Sequence, residues 1–265
     1  MMKDITLGQF IPGDSVIHKL DPRVKIVAIL IYMISVFLVK KFIVYLPIGA
    51  ALLAVILISG IQLKFVLKGL KPLIFIIFLT LMINLLMTPG RVLYEFGFIR
   101  LTEEGLRTGL FMATRLILLV VGTSLLTLTT SPIILTDGME SLMKPLTKIG
   151  FPSHQLAMMM TIALRFIPTL FEETDKIMKA QMARGADFES GNLLKRAKNL
   201  VPLLVPLFIN SFRRADELAT AMESRCYRGG EGRTRLNELN YEKRDYGAYI
   251  MLALYLAFIV GMRFL

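Results

Sequence analysis

Two arginines stand at matching places in the chain. Arg184 sits in Ala183-Arg184-Gly185, and Arg225 sits in Ser224-Arg225-Cys226. The segments 172–186 and 213–227 align at an offset of 41 residues. Asp175 then matches Asp216, Ile177 matches Leu218, and Ala180 matches Ala221. Ile177, Ala180 and Arg184 fall at i, i+3 and i+7, on one face of a helix, and Leu218, Ala221 and Arg225 repeat that face. An apolar anchor, a small residue that permits close approach and a guanidinium at the tip suit a helix end pushed into a groove. The guanidinium offers five donors to a carboxylate or to backbone carbonyls. A single arginine in a last turn would be explained by the helix dipole alone. Two matched copies favour docking into two similar clefts, and hence a partner with two similar subunits.

Other chemistry is sparsely provided for. No Gly-x-x-x-x-Gly-Lys-[Ser/Thr] loop occurs, so ATP hydrolysis has no site here. The single cysteine, Cys226, excludes an internal disulfide and cysteine-based zinc or iron–sulfur centres. His18 and His154 are distant in sequence and make a poor metal site, and none is expected. The acidic residues lie outside the apolar runs, which leaves no basis for a proton or sodium relay. Arg115 falls inside an apolar run, where a charge is costly without a partner. It either fixes a membrane helix bundle or reaches a water-filled edge, with Asn84 a possible polar neighbour. Gly105-x-x-x-Gly109 has the spacing of a helix-packing motif.

The elements that must carry these residues are mostly apolar. Hydrophobic residues make up 55% of the 265, and the mean hydropathy is +0.62. That exceeds an ordinary soluble domain, and it rules out disorder. The first 23 residues lack the pattern of a cleaved signal peptide. Five runs read as membrane crossings: 24–39, 42–61, 72–88, about 106–130 and about 246–264. The fold class is therefore all-α, a polytopic membrane protein. The organisation is a segment 1–23, four crossings in 24–130, a long region 131–245 and a last crossing in 246–265. The net charge of +11 would point to nucleic acid in a soluble chain. Here the positive-inside bias accounts for it, and no nucleic acid is expected. Lysines and arginines gather in 1–25, in 62–71 and in 131–245, three segments that share one side on an alternating path. The N-terminus is then cytoplasmic and the C-terminus external; only Lys40-Lys41 runs against the bias.

The region 131–245 reads as three helices. Ser131-Pro132 starts the first, which Gly150 stops. Pro152-Ser153 starts the second, which Gly185 stops, and Asn192 caps a third to about Arg225. Pro168, Pro202 and Pro206 inside these patterns predict kinks or breaks. The helices stay rich in Leu, Ile, Phe and Met, and surface of that kind marks an interaction site. Met143, Met158, Met159, Met160, Met178 and Met182 are either adaptable contacts for a partner or packing between the helices.

The chain resembles the transmembrane T component of energy-coupling factor (ECF) transporters, the vitamin and metal importers of the ABC superfamily. Three segments carry the resemblance. The first is an N-terminal motif, Ser15-x-x-His18-x-Leu20-Asp21-Pro22-Arg23-x-Lys25. The second runs from Arg165-Phe-Ile-Pro168 to Ala183-Arg184-Gly185, and the third from Arg214-Ala-Asp216 to Ser224-Arg225-Cys226-Tyr227. The family pattern has two Ala-Arg-Gly triplets. Here the second reads Ser-Arg-Cys, which keeps the arginine and weakens the helix stop, because Cys tolerates positive φ less well than Gly. The resemblance implies a non-catalytic coupling subunit of a micronutrient importer. Its two arginine-tipped helices would sit on two ABC-type ATPases, which would bind ATP and Mg, so no cofactor is expected on this chain. A small membrane-embedded substrate-binding subunit would be the third partner. The N-terminal motif would be structural. The alternative from residues alone is a self-sufficient secondary transporter, which would need broken midplane helices and usually two related membrane halves.

Overall fold

The computed structural model describes residues 10–96, 99–188, 192–229 and 239–264. They divide into two compact units, one of residues 8–142 with 238–265 and one of residues 143–237.

In the first unit the helices are α1 (Pro22–Leu38), α2 (Tyr45–Ser59), α3 (Leu63–Lys68), α4 (Ile74–Met87), α5 (Glu103–Thr129), α6 (Pro132–Met143) and α9 (Lys243–Phe264). Among the described residues, four stretches are long and apolar enough to cross a membrane: Phe42–Ser59, Leu63–Met87, Glu103–Thr129 and Lys243–Met262. The 17 residues of α1 fall just short on length. Yet α1 runs antiparallel along α5 from end to end. Lys25 Nζ donates to the Thr129 carbonyl at 3.1 Å, Tyr32 to the Leu118 carbonyl at 2.8 Å, and Arg115 to the Val39 carbonyl at 3.0 Å. In contrast, α9 lies parallel to α1, tied near its start by Asp245 and further along by the Ser35–Tyr255 hydroxyl pair at 2.7 Å. The core between them gathers Val36, Ile48, Leu52, Val121, Leu125 and Ile259. The outer faces are as apolar as the core: Leu46, Leu57, Phe75, Phe78 and Leu254 are all exposed. Helices apolar on every side belong in hydrocarbon, where their backbone groups are satisfied internally.

Two departures from the sequence reading occur here. The segment before α5 is not plain loop. Strands β1 (Val92–Phe96) and β2 (Ile99–Thr102) pair antiparallel, with Phe96 opposite Ile99. The five-residue Val-Leu-Tyr-Glu-Phe run alternates only over its last three residues, too short a pattern to mark a strand. The third apolar stretch also begins earlier, at Leu63, because α3 and a 3₁₀ turn at Lys71–Leu73 precede α4. The Gly105 and Gly109 spacing acts as expected: it lets α4 and α5 meet closely. A Cβ at Gly105 would lie 2.7 Å from the Asn84 carbonyl oxygen, and one at Gly109 would lie 3.2 Å from that of Leu81.

The second unit is a 3₁₀ segment (Lys144–Ile149) followed by two long helices, α7 (Ser153–Ala183) and α8 (Leu193–Ser224). Gly150 takes φ 86° at the stop foreseen for it. The prolines do not break either helix. Pro206 lacks the N–H that would bond the carbonyl four residues back, on Pro202. That carbonyl instead accepts from Gln181 Nε2 at 3.4 Å, so the neighbouring helix takes up the unpaired group.

Gly122 marks the tightest helix contact in the membrane-type unit. A Cβ there would stand 2.3 Å from Tyr32 Cε1. Gly122→Ala should therefore expel the Tyr32 ring and its bond to Leu118, at about 1–3 kcal/mol. Thermal unfolding in detergent measures it. In a Tyr32→Ala background the same change should cost much less, since the clash is gone.

Candidate functional site

The two arginines end the two long helices in the same way. Arg184 is the C-cap of α7, with φ −89° and ψ 7°, and Arg225 is the C-cap of α8, with φ −91° and ψ 12°. After each comes a residue in the left-handed region, Gly185 at φ 87° and Cys226 at φ 57°. The closing bonds match one for one. Ala186 N–H donates to the Gln181 carbonyl and Gly185 N–H to that of Met182; Tyr227 N–H donates to the Met222 carbonyl and Cys226 N–H to that of Glu223. Both ends are Schellman caps, in which left-handed geometry satisfies the last carbonyls. Cys226 adopts the conformation that Gly usually supplies, so the second stop is intact in shape, though strained.

Both caps leave the arginines outside. Ala183, Arg184, Gly185, Ser224, Arg225 and Cys226 are exposed, as are Ala180 and Ala221, while Ile177 and Leu218 are half-buried. Among the described residues neither guanidinium has a hydrogen-bond or ion-pair partner. Each tip is thus a small-residue helix end with a free planar cation.

The helices run antiparallel, so the tips lie at opposite ends of the pair. Glu173 accepts from Arg214 Nη2 at 2.7 Å and from the Asn210 side-chain amide. The Tyr227 hydroxyl donates to Met158 Sδ at 3.1 Å and lies 3.1 Å from His154 Nε2. The Asp187 carbonyl accepts from the Asn199 side chain. One flank of α8 remains uncovered within the unit: Val201, Leu204, Val205, Phe208, Ile209 and Phe212 are exposed. The methionines divide between the two roles considered for them. Met159, Met160 and Met182 are exposed, whereas Met143, Met158 and Met178 are half-buried.

The N-terminal motif forms a knot of charges. Asp21 caps α1, accepting from Arg23 N–H at 2.8 Å, and Pro22 fills the first helical position. Arg23 grips Asp21 with two bonds, at 3.0 and 2.7 Å, donates to the Leu239 carbonyl and stacks 3.8 Å from the Tyr241 ring centroid. Asp245, 1% exposed, accepts from Asp21 N–H at 2.9 Å and from Glu242 N–H at 2.8 Å. Lys25 reaches the carbonyls of His18 and Thr129 and the hydroxyl of Thr130. His18 closes the preceding turn on Ser15 Oγ at 2.7 Å and the Ile11 carbonyl at 3.1 Å, with Leu20 half-buried beside it. The motif ties the start of α1 to α5 and α9, and the central acceptor, Asp245, was not singled out from the sequence. An acid just inside the start of an apolar run was the available signal.

Arg115 is half-buried and hydrogen-bonded. It donates to the Tyr45 hydroxyl at 2.9 Å and to the Val39 carbonyl, and lies 4.9 Å from the Phe111 ring centroid. It fixes the bundle by taking up a carbonyl left over at the end of α1. Asn84 is not its partner; that side chain donates to the Thr80 carbonyl.

The cobalt transport protein family matches residues 13–236. An energy-coupling factor transporter transmembrane protein from Thermosediminibacter oceani is 60% identical over 264 residues, covering 100% of both chains. The protein of that name from Clostridium kluyveri is 62% identical over 248 residues, 93% of this chain and 92% of its own. The Bacillus subtilis protein of that name is 47% identical over 264 residues, 99% of this chain and 100% of its own. The chain belongs to this family. It is the transmembrane component of an energy-coupling factor transporter, a membrane protein whose role is transport. The family relation also removes the secondary-transporter alternative.

Strain at the second tip is testable within this family frame. A non-glycine residue in the left-handed region costs about 1–2 kcal/mol. Cys226→Gly should therefore tighten the end of α8, slowing hydrogen exchange at the amides of Arg225 to Tyr227. Gly185→Ala should quicken exchange at the end of α7. No atom stands within 4 Å of a Cβ built there, so the loss would be pure backbone strain.

Proposed function

We propose that this chain is the coupling subunit of an ATP-driven micronutrient importer, with Arg184 and Arg225 each seated on one of two ABC-type ATPases. The matched caps carry this reading: two exposed arginines on helix ends of equal geometry, at opposite ends of one helix pair, suit two similar grooves. The chain itself is non-catalytic, and ATP and Mg belong to the ATPases. A small membrane-embedded substrate-binding subunit completes the assembly, and the uncovered flank of α8 with its neighbouring methionines is the surface offered to it.

In this reading the chain lies in the cell membrane with five crossings, α1 being the first. Residues 24–130 hold four of them, 131–245 is the cytoplasmic coupling region, and the last crossing ends outside. The parallel packing of α1 and α9 supports this. An outward α1, inward α2, outward α3–α4 and inward α5 bring the chain back to its starting side. There α9 begins beside α1, as the Asp245 bond to Asp21 requires.

The test of orientation is a thiol reagent that does not cross the membrane. Glu95→Cys should react in intact cells. Cys226, which is exposed, and Lys195→Cys should react only after permeabilisation. The opposite pattern would invert the topology.

Arginine removal tests the docking. Losing one partner of a buried charged hydrogen bond costs about 2–5 kcal/mol. Arg184→Ala or Arg225→Ala alone should weaken co-purification of the ATPases while the other tip still holds. The double variant also loses the effective concentration that two attachments provide, and should lose the ATPases altogether. Uptake should fall further than assembly in each. The helices should stay folded, since a dipole contact is worth only about 0.3–1 kcal/mol. A double variant that assembles and transports like the parent would reduce both arginines to dipole caps.

A further inference from the structure

The ion pair Glu173–Arg214 joins residues separated by 41 positions, the same offset that aligns the two arginine-tipped segments. The pair therefore links a residue to its own counterpart. In an antiparallel pair of related helices, a contact between counterparts lies on a local twofold axis. Two further bonds obey the same axis. Tyr227 reaches back to Met158, and Asp187, one residue past the counterpart of Tyr227, accepts from Asn199, the counterpart of Met158. Each tip is thus tied to the opposite helix at an equivalent level.

The arms on either side of the axis are equal. Arg184 lies eleven residues beyond Glu173, and Arg225 lies eleven beyond Arg214, about three turns or 16 Å each. Packed antiparallel helices have neighbouring registers one turn apart, a slide of about 5.4 Å. Such a slide would change the distance between the two tips by that amount, and both could no longer seat in fixed grooves. Apolar contacts choose register weakly, whereas a directional ion pair chooses it strongly. Glu173 is 17% and Arg214 35% exposed by side chain, so the pair is partly withdrawn from water, and Asn210 holds the second oxygen of Glu173.

We propose that Glu173 and Arg214 are positioning residues that lock the register of α7 against α8 and so set the spacing of the two arginine tips for simultaneous engagement. This rests on the coupling-subunit reading above. A point on a twofold axis stays fixed when both arms move symmetrically. The pair can accordingly hold while the tips transmit motion, and its loss lets the helices slide, so that both tips reach further apart or draw closer together.

The experiment uses the full complex, co-expressed with its ATPases and substrate-binding subunit in proteoliposomes, and reads solute taken up per ATP hydrolysed. Glu173→Lys and Arg214→Glu should each leave at least one ATPase bound but lower that ratio by about tenfold, within the usual 5- to 150-fold range of a coupling between two sites. The reversed pair, Glu173→Arg with Arg214→Glu, should restore it, since the Asn210 amide can turn its oxygen to the new cation. Glu173→Gln, which keeps the shape and a hydrogen bond, should fall between. Single variants that couple like the parent overturn the proposal. So does a reversed pair that assembles without recovering. A parent chain that never brings ATPases with it would instead defeat the coupling-subunit reading.

Discussion

The carboxylate of Asp245 holds together two helix starts that are 224 residues apart in the chain. One oxygen takes the amide that opens α1 and the other takes the amide of Glu242, ahead of α9. Both are orphan donors that a helix must place somewhere, and a negative charge at two positive helix ends satisfies both. The rest of the membrane-type unit follows. With α1 and α9 level at their starts, Arg23 can bridge from Asp21 to Leu239 and Tyr241. Lys25 then faces the end of α5, whose last carbonyl and following hydroxyl need a donor. Two acids, Asp21 and Asp245, stand against two bases, Arg23 and Lys25, and Arg23 Nη2 lies 2.7 Å from Asp21 Oδ2. Removing one member would strand the others, which is far costlier than never having built the knot.

The second unit is held differently. Among the described residues its two long helices are tied at the centre, near each tip and between Gln181 and Pro202. Such an arrangement resists relative sliding more than it resists bending. The prolines contribute to this. Because Gln181 serves the carbonyl freed by Pro206, a break in the ladder of one helix becomes a bond to the other.

Much of this was legible in the sequence, for reasons that differ by element. The long helices of the second unit announced their ends with Pro, Asn and Gly, and α7 and α8 stop within a residue of the expected places. The arginine repeat was legible because the ends of both helices repeat the same side-chain types at helical spacing. The Gly105–Gly109 contact was readable since only glycine admits so close a neighbour. What stayed hidden depends on pairing across the chain. Asp245 could be read as a helix-start acid, but nothing in its neighbourhood names Asp21 as its second donor. Arg115 pointed to an unknown partner, and that partner is a main-chain carbonyl, which leaves no trace in residue types. Glu173 and Arg214 were inside the aligned repeat, yet alignment alone does not say that counterparts touch. The hairpin β1–β2 was missed because two short runs beside long apolar helices carry little signal.

The equivalence of the two tips is one of backbone and not of chemical identity. The chain has one sulfhydryl, and the fold places it, exposed, at the turn of α8 and not at that of α7. A maleimide dye or nitroxide attached to the unmodified chain would therefore report from one end of the helix pair alone. One of two ends that share a backbone motif can thus be followed alone, by fluorescence or spin resonance, without substituting a residue.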